Sequence, residues 1–260
     1  SGTLDLDRAK ALCQQHPVRV IAVGHVSNAI GAVNDVDGFI QLAKENSAYS
    51  VIDGAQAAPH MRVDVGKLNA DFYALSAHKC CGPTGIGVLL GRRALLEALP
   101  PWQGGGDMIE RVSFSGTTFN ELPWKFEAGT PNIADTIAFA KALDYLDSID
   151  FDAAIAHEHT VHQHLIESML KRDQVQVLGN PEHWVSVCSF NVKGAHPTDV
   201  GTLLDQLGIA IRTGHHCAMP TMEHFDLPGT ARASIAFYNS TDEVDQFLSA
   251  LDRVIGMLAD

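Results

Sequence analysis

Ser50-Val51-Ile52-Asp53-Gly54-Ala55-Gln56 and Asp71-Phe72-Tyr73-Ala74-Leu75-Ser76-Ala77-His78-Lys79 decide the fold. Each is a short apolar, β-favouring run that stops in small and polar residues, the first with a carboxylate and the second with an amine. Residues 18–24 upstream and 85–90 downstream have the same strand character, and residues 38–46 read as a helix between the first two strands. Strands alternating with helical or loop segments predict an α/β fold with a largely parallel sheet covered by helices. In such sheets ligands collect beyond the carboxyl ends of the strands, where Asp53 and the run from Ser76 to Lys79 fall.

Further along, residues 100–131 are rich in Gly and Pro and read as one long functional loop. A helix over 133–149 follows, with Asn132 as its cap. The order then changes: a helix over 151–172, a strand over 185–192, a helix over 198–207, a further strand, a loop, a strand over 231–236 and a final helix over 241–258. This predicts a large domain over 1–147 and a smaller C-terminal α/β domain over 148–260. No glycine-rich phosphate turn precedes Asp53, so the front of the large domain is expected to be missing.

The 260 residues, 46% of them hydrophobic, suffice for a sizeable core. Eighteen basic against 31 acidic residues leave a formal charge of −13, which repels nucleic acid and anionic lipid. Apolar runs are too short to span a bilayer and the N-terminus has no signal-peptide pattern, so a soluble cytoplasmic protein is expected. The five cysteines form no C-x-x-C pair, which argues against a zinc ribbon or disulfide framework. Adjacent Cys80 and Cys81 read as small structural hydrophobes. His157, His159, His162 and His164 read as a solvated helix face, although 159 and 162 share a side.

The chemistry lies in a combination. Lys79 can hold an aldehyde as a Schiff base, Asp53 can pair with a pyridinium nitrogen, Gln56 can reach a phenolic oxygen, and Ser76 and His78 can donate to a phosphate; together they suggest pyridoxal phosphate. Taken singly, Asp53 is as well a turn residue, and Lys79 a solvated lysine. Cys217, after Arg212-Thr213-Gly214-His215-His216, lies in a loop where a thiol can be exposed and electropositive enough to act as a thiolate nucleophile. Arg232 can clamp a carboxylate or make a structural salt bridge, and Asn28 ends the first strand within reach of cofactor or substrate. Lysine, aspartate and cysteine together point to a sulfur-containing amino acid as substrate.

These residues fall in stretches that resemble the pyridoxal-phosphate-dependent cysteine desulfurases of the class V, fold-type I aminotransferase-like group, in the SufS/CsdA-like branch. The matching stretches are His25-Val26-Ser27-Asn28-Ala29-Ile30-Gly31, Asp53-Gly54-Ala55-Gln56, Ser76-Ala77-His78-Lys79, Gly82-Pro83-Thr84-Gly85-Ile86-Gly87, Glu127-Ala128-Gly129-Thr130-Pro131-Asn132, Arg212-Thr213-Gly214-His215-His216-Cys217-Ala218 and Arg232-Ala233-Ser234. The resemblance implies that Lys79 is the Schiff-base lysine, Asp53 the pyridinium partner, Gln56 the phenolic-oxygen contact, and Ser76 and His78 phosphate ligands. It further implies that Asn28 and Arg232 hold the carboxylate of L-cysteine, that Arg212 supports the site near the cysteine, and that Cys217 accepts sulfur. Thr130 would reach the phosphate of a second subunit, hence a homodimer, and a SufE-like protein would take the sulfur for iron–sulfur cluster assembly. Members of the group carry roughly a further third of a chain in front, with the histidine that stacks on the ring and a phosphate-binding turn. The alternatives are selenocysteine lyase or cysteine sulfinate desulfinase activity, or a non-catalytic fragment that dimerises or binds a sulfur acceptor.

Overall fold

Three of the expected strands lie side by side in parallel, and their register lines up the residues that follow them. The computed structural model describes residues 1–258. Its first part runs α1 (Leu6–Gln15), β1 (Val20–Gly24), α2 (Val36–Glu45), β2 (Tyr49–Asp53), α3 (Val65–Leu68), β3 (Phe72–Ser76) and β4 (Gly87–Gly91). The sheet order is β1-β2-β3-β4, with β1, β2 and β3 parallel and β4 antiparallel to β3. Gly24 pairs with Asp53 and Asp53 with Ala74, so the segments after β1, β2 and β3 leave the sheet at one edge. Helix α2 is capped by the Asp35 side chain, which accepts from Gly38 N, a contact worth about 1 kcal/mol. Its buried Val36, Phe39, Ile40 and Ala43 lie one or two turns apart on a single face.

Helix α4 (Arg93–Ala98) precedes the stretch expected as one loop, 100–131, which itself contains a hairpin of β5 (Ile109–Ser113) and β6 (Gly116–Phe119). The hairpin escapes a period-based reading because both its faces are exposed. Helix α5 (Ile133–Ser148) closes the first part, with Asn132 accepting from Asp135 N as its cap and Phe139 and Ala142 packed on Ala77 and Cys80.

The second part runs α6 (Phe151–Met169), β7 (Val175–Val177), β8 (Val187–Val192), α7 (Pro197–Gln206), β9 (Arg212–Gly214), α8 (Met219–His224), β10 (Thr230–Ser234) and α9 (Thr241–Leu258). Its sheet, ordered β7-β8-β10-β9, is antiparallel throughout. Helices α6, α7 and α9 cover it through Leu165, Met169, Leu204 and Leu251, packed with Phe190 of β8. Each such side chain contributes about 1.5–3 kcal/mol on burial.

Helix α1 and strand β7 were not expected. The first has no fully buried residue to give an apolar stripe, and the second is three residues long.

The two sheets meet along a main-chain seam. Val185 N donates to Gly31 O at 2.8 Å, Val33 N donates to His183 O at 3.0 Å, and Ala32 bridges Trp184. Gly31 has φ +72°, and a Cβ there would stand 2.7 Å from Val185 O, so the approach requires glycine.

Two expectations are corrected here. His162 is not on a solvated face: it is buried against Trp184, and burial pushes its pKa down to about 4, although its hydrogen bond to the Val187 carbonyl acts the other way. Of the cysteine pair, Cys80 is buried as expected, whereas Cys81 is exposed at φ +59°.

Candidate active site

Lys79 ends a 3-10 turn, Ala77–Lys79, that follows β3 directly. Its Nζ donates to Oε1 of Gln56 at 3.2 Å, joining the segments after β2 and β3. Gln56 Nε2 lies 3.3 Å from His60 Nε2, and His60 Nδ1 lies 2.6 Å from Oε1 of Glu158 on α6. The same carboxylate oxygen accepts from Ser186 Oγ. Glu158 is only 4% exposed, so this buried charge is held by hydrogen bonds.

Asp53 stands at the end of β2, exposed, with Oδ1 accepting from Ala55 N at 2.9 Å. One carboxylate oxygen thus closes the local turn, as the plainer reading of this residue holds. Behind it Tyr73 is buried, its hydroxyl 3.1 Å from His25 Nδ1. Burial, with the Asp53 charge next, pushes the Tyr73 phenol up to about 12, and burial lowers the pKa of His25. Gly54 leaves room for this ring, because a Cβ there would come within 2.0 Å of it.

A second cluster gathers Asn28, Arg212, His216, Cys217 and Arg232. Asn28 Nδ2 donates to His216 O at 2.5 Å, while Arg232 Nη1 donates to Asn28 O at 2.7 Å. An Arg212 guanidinium N–H faces Cys217 Sγ at 3.8 Å. His216 and Cys217 both adopt positive φ, +55° and +58°, so the loop turns sharply and leaves the sulfur exposed while His216 is buried. His216 Nε2 pairs with Thr230 Oγ1 at 2.8 Å. Burial first, then the charges of Arg232 and Arg212, push its pKa down to about 4, so the ring is neutral near pH 7. Burial and Arg212 also lower the pKa of Arg232. Among the described residues, Arg232 Nε and His216 Nδ1 are buried without a hydrogen-bond partner.

Of the remaining candidates, Ser76 is half-buried at the end of β3, His78 is exposed in the turn beside Lys79, and Thr130 is exposed on the loop before α5. Sequence reasoning missed His60, Glu158, Ser186, His216 and Thr230. Glu158 sits among histidines on an apparently polar helix and meets His60 across 98 positions, so nothing local marks it. No group of three or more His, Cys, Asp or Glu suited to a metal ion occurs among the described residues.

An amine and a carboxylate at the ends of neighbouring parallel strands, together with a thiol and two guanidinium groups gathered beside the second sheet, belong to an α/β protein of fold-type I aminotransferase-like architecture. The chain belongs to the Aminotransferase class-V family, whose profile matches residues 1–247. It is 48% identical over 240 residues to a probable cysteine desulfurase of Vibrio cholerae, covering 92% of this chain and 59% of that one. It is also 45% identical to a cysteine desulfurase of Dickeya dadantii, covering 100% and 63% respectively. Among solved structures it is similar to the cysteine desulfurase CsdA of Escherichia coli, with a TM-score of 0.92, 39% identity, and coverage of 97% of this chain and 63% of that chain. An apo cysteine desulfurase of Thermococcus onnurineus also gives a TM-score of 0.92, at 40% identity with 98% and 64% covered. The chain therefore spans about three fifths of the length of the relatives it matches.

Proposed function

We propose that the chain provides the lysine, cysteine and substrate-binding residues of a pyridoxal-phosphate-dependent cysteine desulfurase. The observation that carries this reading is the Lys79 to Gln56 hydrogen bond at the sheet edge, with Asp53 on the adjacent strand. The donor set fits the cofactor: Lys79 would hold the aldehyde, Asp53 has a second carboxylate oxygen for the ring nitrogen, and Gln56 lies beside the amine. Ser76 and His78 would serve its phosphate and Thr130 that of a second subunit. When bound, the cofactor supplies an electron sink for charge developing on the substrate α-carbon.

The protein's own groups supply the rest. Arg232 has an unused buried Nε, and with Asn28 and Arg212 it would hold and orient the carboxylate of L-cysteine. The Lys79 amine takes the α-proton and later returns a proton to the product. Cys217 Sγ attacks the substrate sulfur: the new S–S bond forms as the Cβ–S bond breaks, and its electron pair stays with the three-carbon remainder. The balance is L-cysteine plus a protein thiol giving L-alanine plus a protein persulfide. A SufE-like acceptor would then remove the sulfur for iron–sulfur cluster assembly.

Exposed aromatic groups at Trp102, Phe114 and Trp124 support a homodimer through the hairpin region. We also infer two domains dividing near residue 148, since α5 packs on the first sheet and α6 on the second. The five free cysteines suit a reducing, cytoplasmic setting. No helix among the described residues is long and apolar enough to cross a membrane.

The test is to add pyridoxal phosphate and L-cysteine and follow alanine release together with the gain of one sulfur atom on Cys217 by mass spectrometry. Both are expected from the wild-type chain and neither from Cys217→Ala. Persistence of both in that variant overturns the role of the thiol. Failure of the wild type to take up the cofactor favours a non-catalytic piece that dimerises or binds an acceptor.

A further inference from the structure

The hydrogen bonds behind Lys79 have one consistent direction. Lys79 Nζ donates to Gln56 Oε1, which leaves the amide NH2 of Gln56 to face His60 Nε2. That nitrogen must then accept, so the ring proton lies on Nδ1. Nδ1 in turn faces Oε1 of Glu158, an acceptor that also receives Ser186 Oγ. Every hydrogen points from the amine toward the carboxylate, and such chains strengthen each bond within them. The chain also crosses the molecule: Gln56 and His60 lie in the turn after β2 and Lys79 in the turn after β3, whereas Glu158 lies on α6 and Ser186 just before β8.

We propose that Glu158 and His60 are positioning residues for Lys79: the carboxylate fixes the tautomer of His60, and the ring fixes which end of the Gln56 amide meets the amine. Without the carboxylate the ring proton can sit on Nε2, which then demands an acceptor from Gln56. The amide turns over to present its oxygen to the ring, and the Lys79 head group loses the carbonyl oxygen to which it donates, an ammonium then meeting the amide NH2 donor to donor. His162 is a further titratable ring near this pair and, like Glu158 and the exposed His159, projects from α6; its depressed pKa keeps it neutral near pH 7, so it does not compete as a cation for the carboxylate. The proposal deepens the desulfurase reading by naming what aims its lysine, and it rests on that reading only for the consequence to cofactor binding.

The first measurement needs no cofactor. Nitrogen-15 spectra of the full chain labelled at histidine, with the His60 signals assigned by their loss in His60→Gln, are expected to show the ring proton on Nδ1. In Glu158→Ala that state should give way to an Nε2–H form or a mixture. Glu158→Gln retains an acceptor oxygen and should keep it, and its near-identical shape guards against a folding defect, checked by circular dichroism. A wild-type proton on Nε2, or a His60 spectrum unchanged by Glu158→Ala, overturns the proposal. The second measurement adds pyridoxal phosphate and follows Schiff-base absorbance. Apparent affinity should fall about five- to tenfold in Glu158→Ala, one hydrogen bond's worth, and recover in Glu158→Gln; equal affinity in all three overturns the positioning role. A wild type that forms no Schiff base defeats the functional reading instead, and the ring-nitrogen spectra still decide the tautomer.

Discussion

The guanidinium of Arg232 on β10 donates to the main-chain oxygen of Asn28, 2.7 Å away, in the segment that leaves β1. One nitrogen is spent on this contact between sheets, and Nε is left buried without a partner among the described residues. A planar fork can serve both tasks, whereas a lysine ammonium acts as a point donor. Arg232→Lys is therefore expected to raise KM for L-cysteine by about ten- to a hundredfold, the range for losing a charged hydrogen bond, with a smaller effect on kcat. Steady-state alanine release measures both.

Lys79→Ala removes the group assigned both to the aldehyde and to the α-proton. Schiff-base absorbance should vanish, and residual turnover should fall by about 10²–10⁴-fold or more, the scale for loss of a positioned acid–base group. Full turnover in this variant would contradict the assignment.

Gly54→Ala tests the packing behind Asp53. A Cβ there would press on the Tyr73 ring at 2.0 Å, so this buried ring, only 1% exposed, has to shift from its packed position. Destabilisation of about 1–3 kcal/mol is expected from such overpacking. A shift in the urea midpoint without a change in slope would register it.

Acid should weaken the fold partly through two buried histidines. His162 and His216 have folded pKa values of about 4 against 6.5 for an unperturbed ring. Between those values the unfolded chain binds more protons than the folded one, so stability rises with pH there and is lost as pH falls from about 6.5 toward 4. Below about 4 both states are protonated and this contribution to the slope ends. His162→Gln should flatten the profile in that window by up to about 1.4 kcal/mol per pH unit. Urea titrations at successive pH values provide the comparison.

Much of this arrangement is written locally. Asp53 ends one short strand, and Gln56 and Lys79 come three residues after strand ends, so the strand reading puts them at one sheet edge, and the register of Gly24, Asp53 and Ala74 agrees. The cysteine loop announces itself by its lack of apolar periodicity. What stayed hidden depends on contacts distant in sequence. His162 looks like a surface histidine until Trp184 covers it, and Glu158 looks solvated until His60 and Ser186 enclose it. The β5–β6 hairpin was hidden for a different reason, since strands exposed on both sides carry no alternation to detect.

The seam at Gly31 has a consequence for how this architecture tolerates change. Its ties, Val185 N to Gly31 O and Val33 N to His183 O, are peptide groups, which every residue except proline can offer. The pairing of the two sheets along this line is thus cut into the polymer itself, and its hydrogen bonds are indifferent to which side chains stand at Val33, His183 and Val185. Only at the single position where a methyl group would act as a shim, Gly31, is that freedom withdrawn.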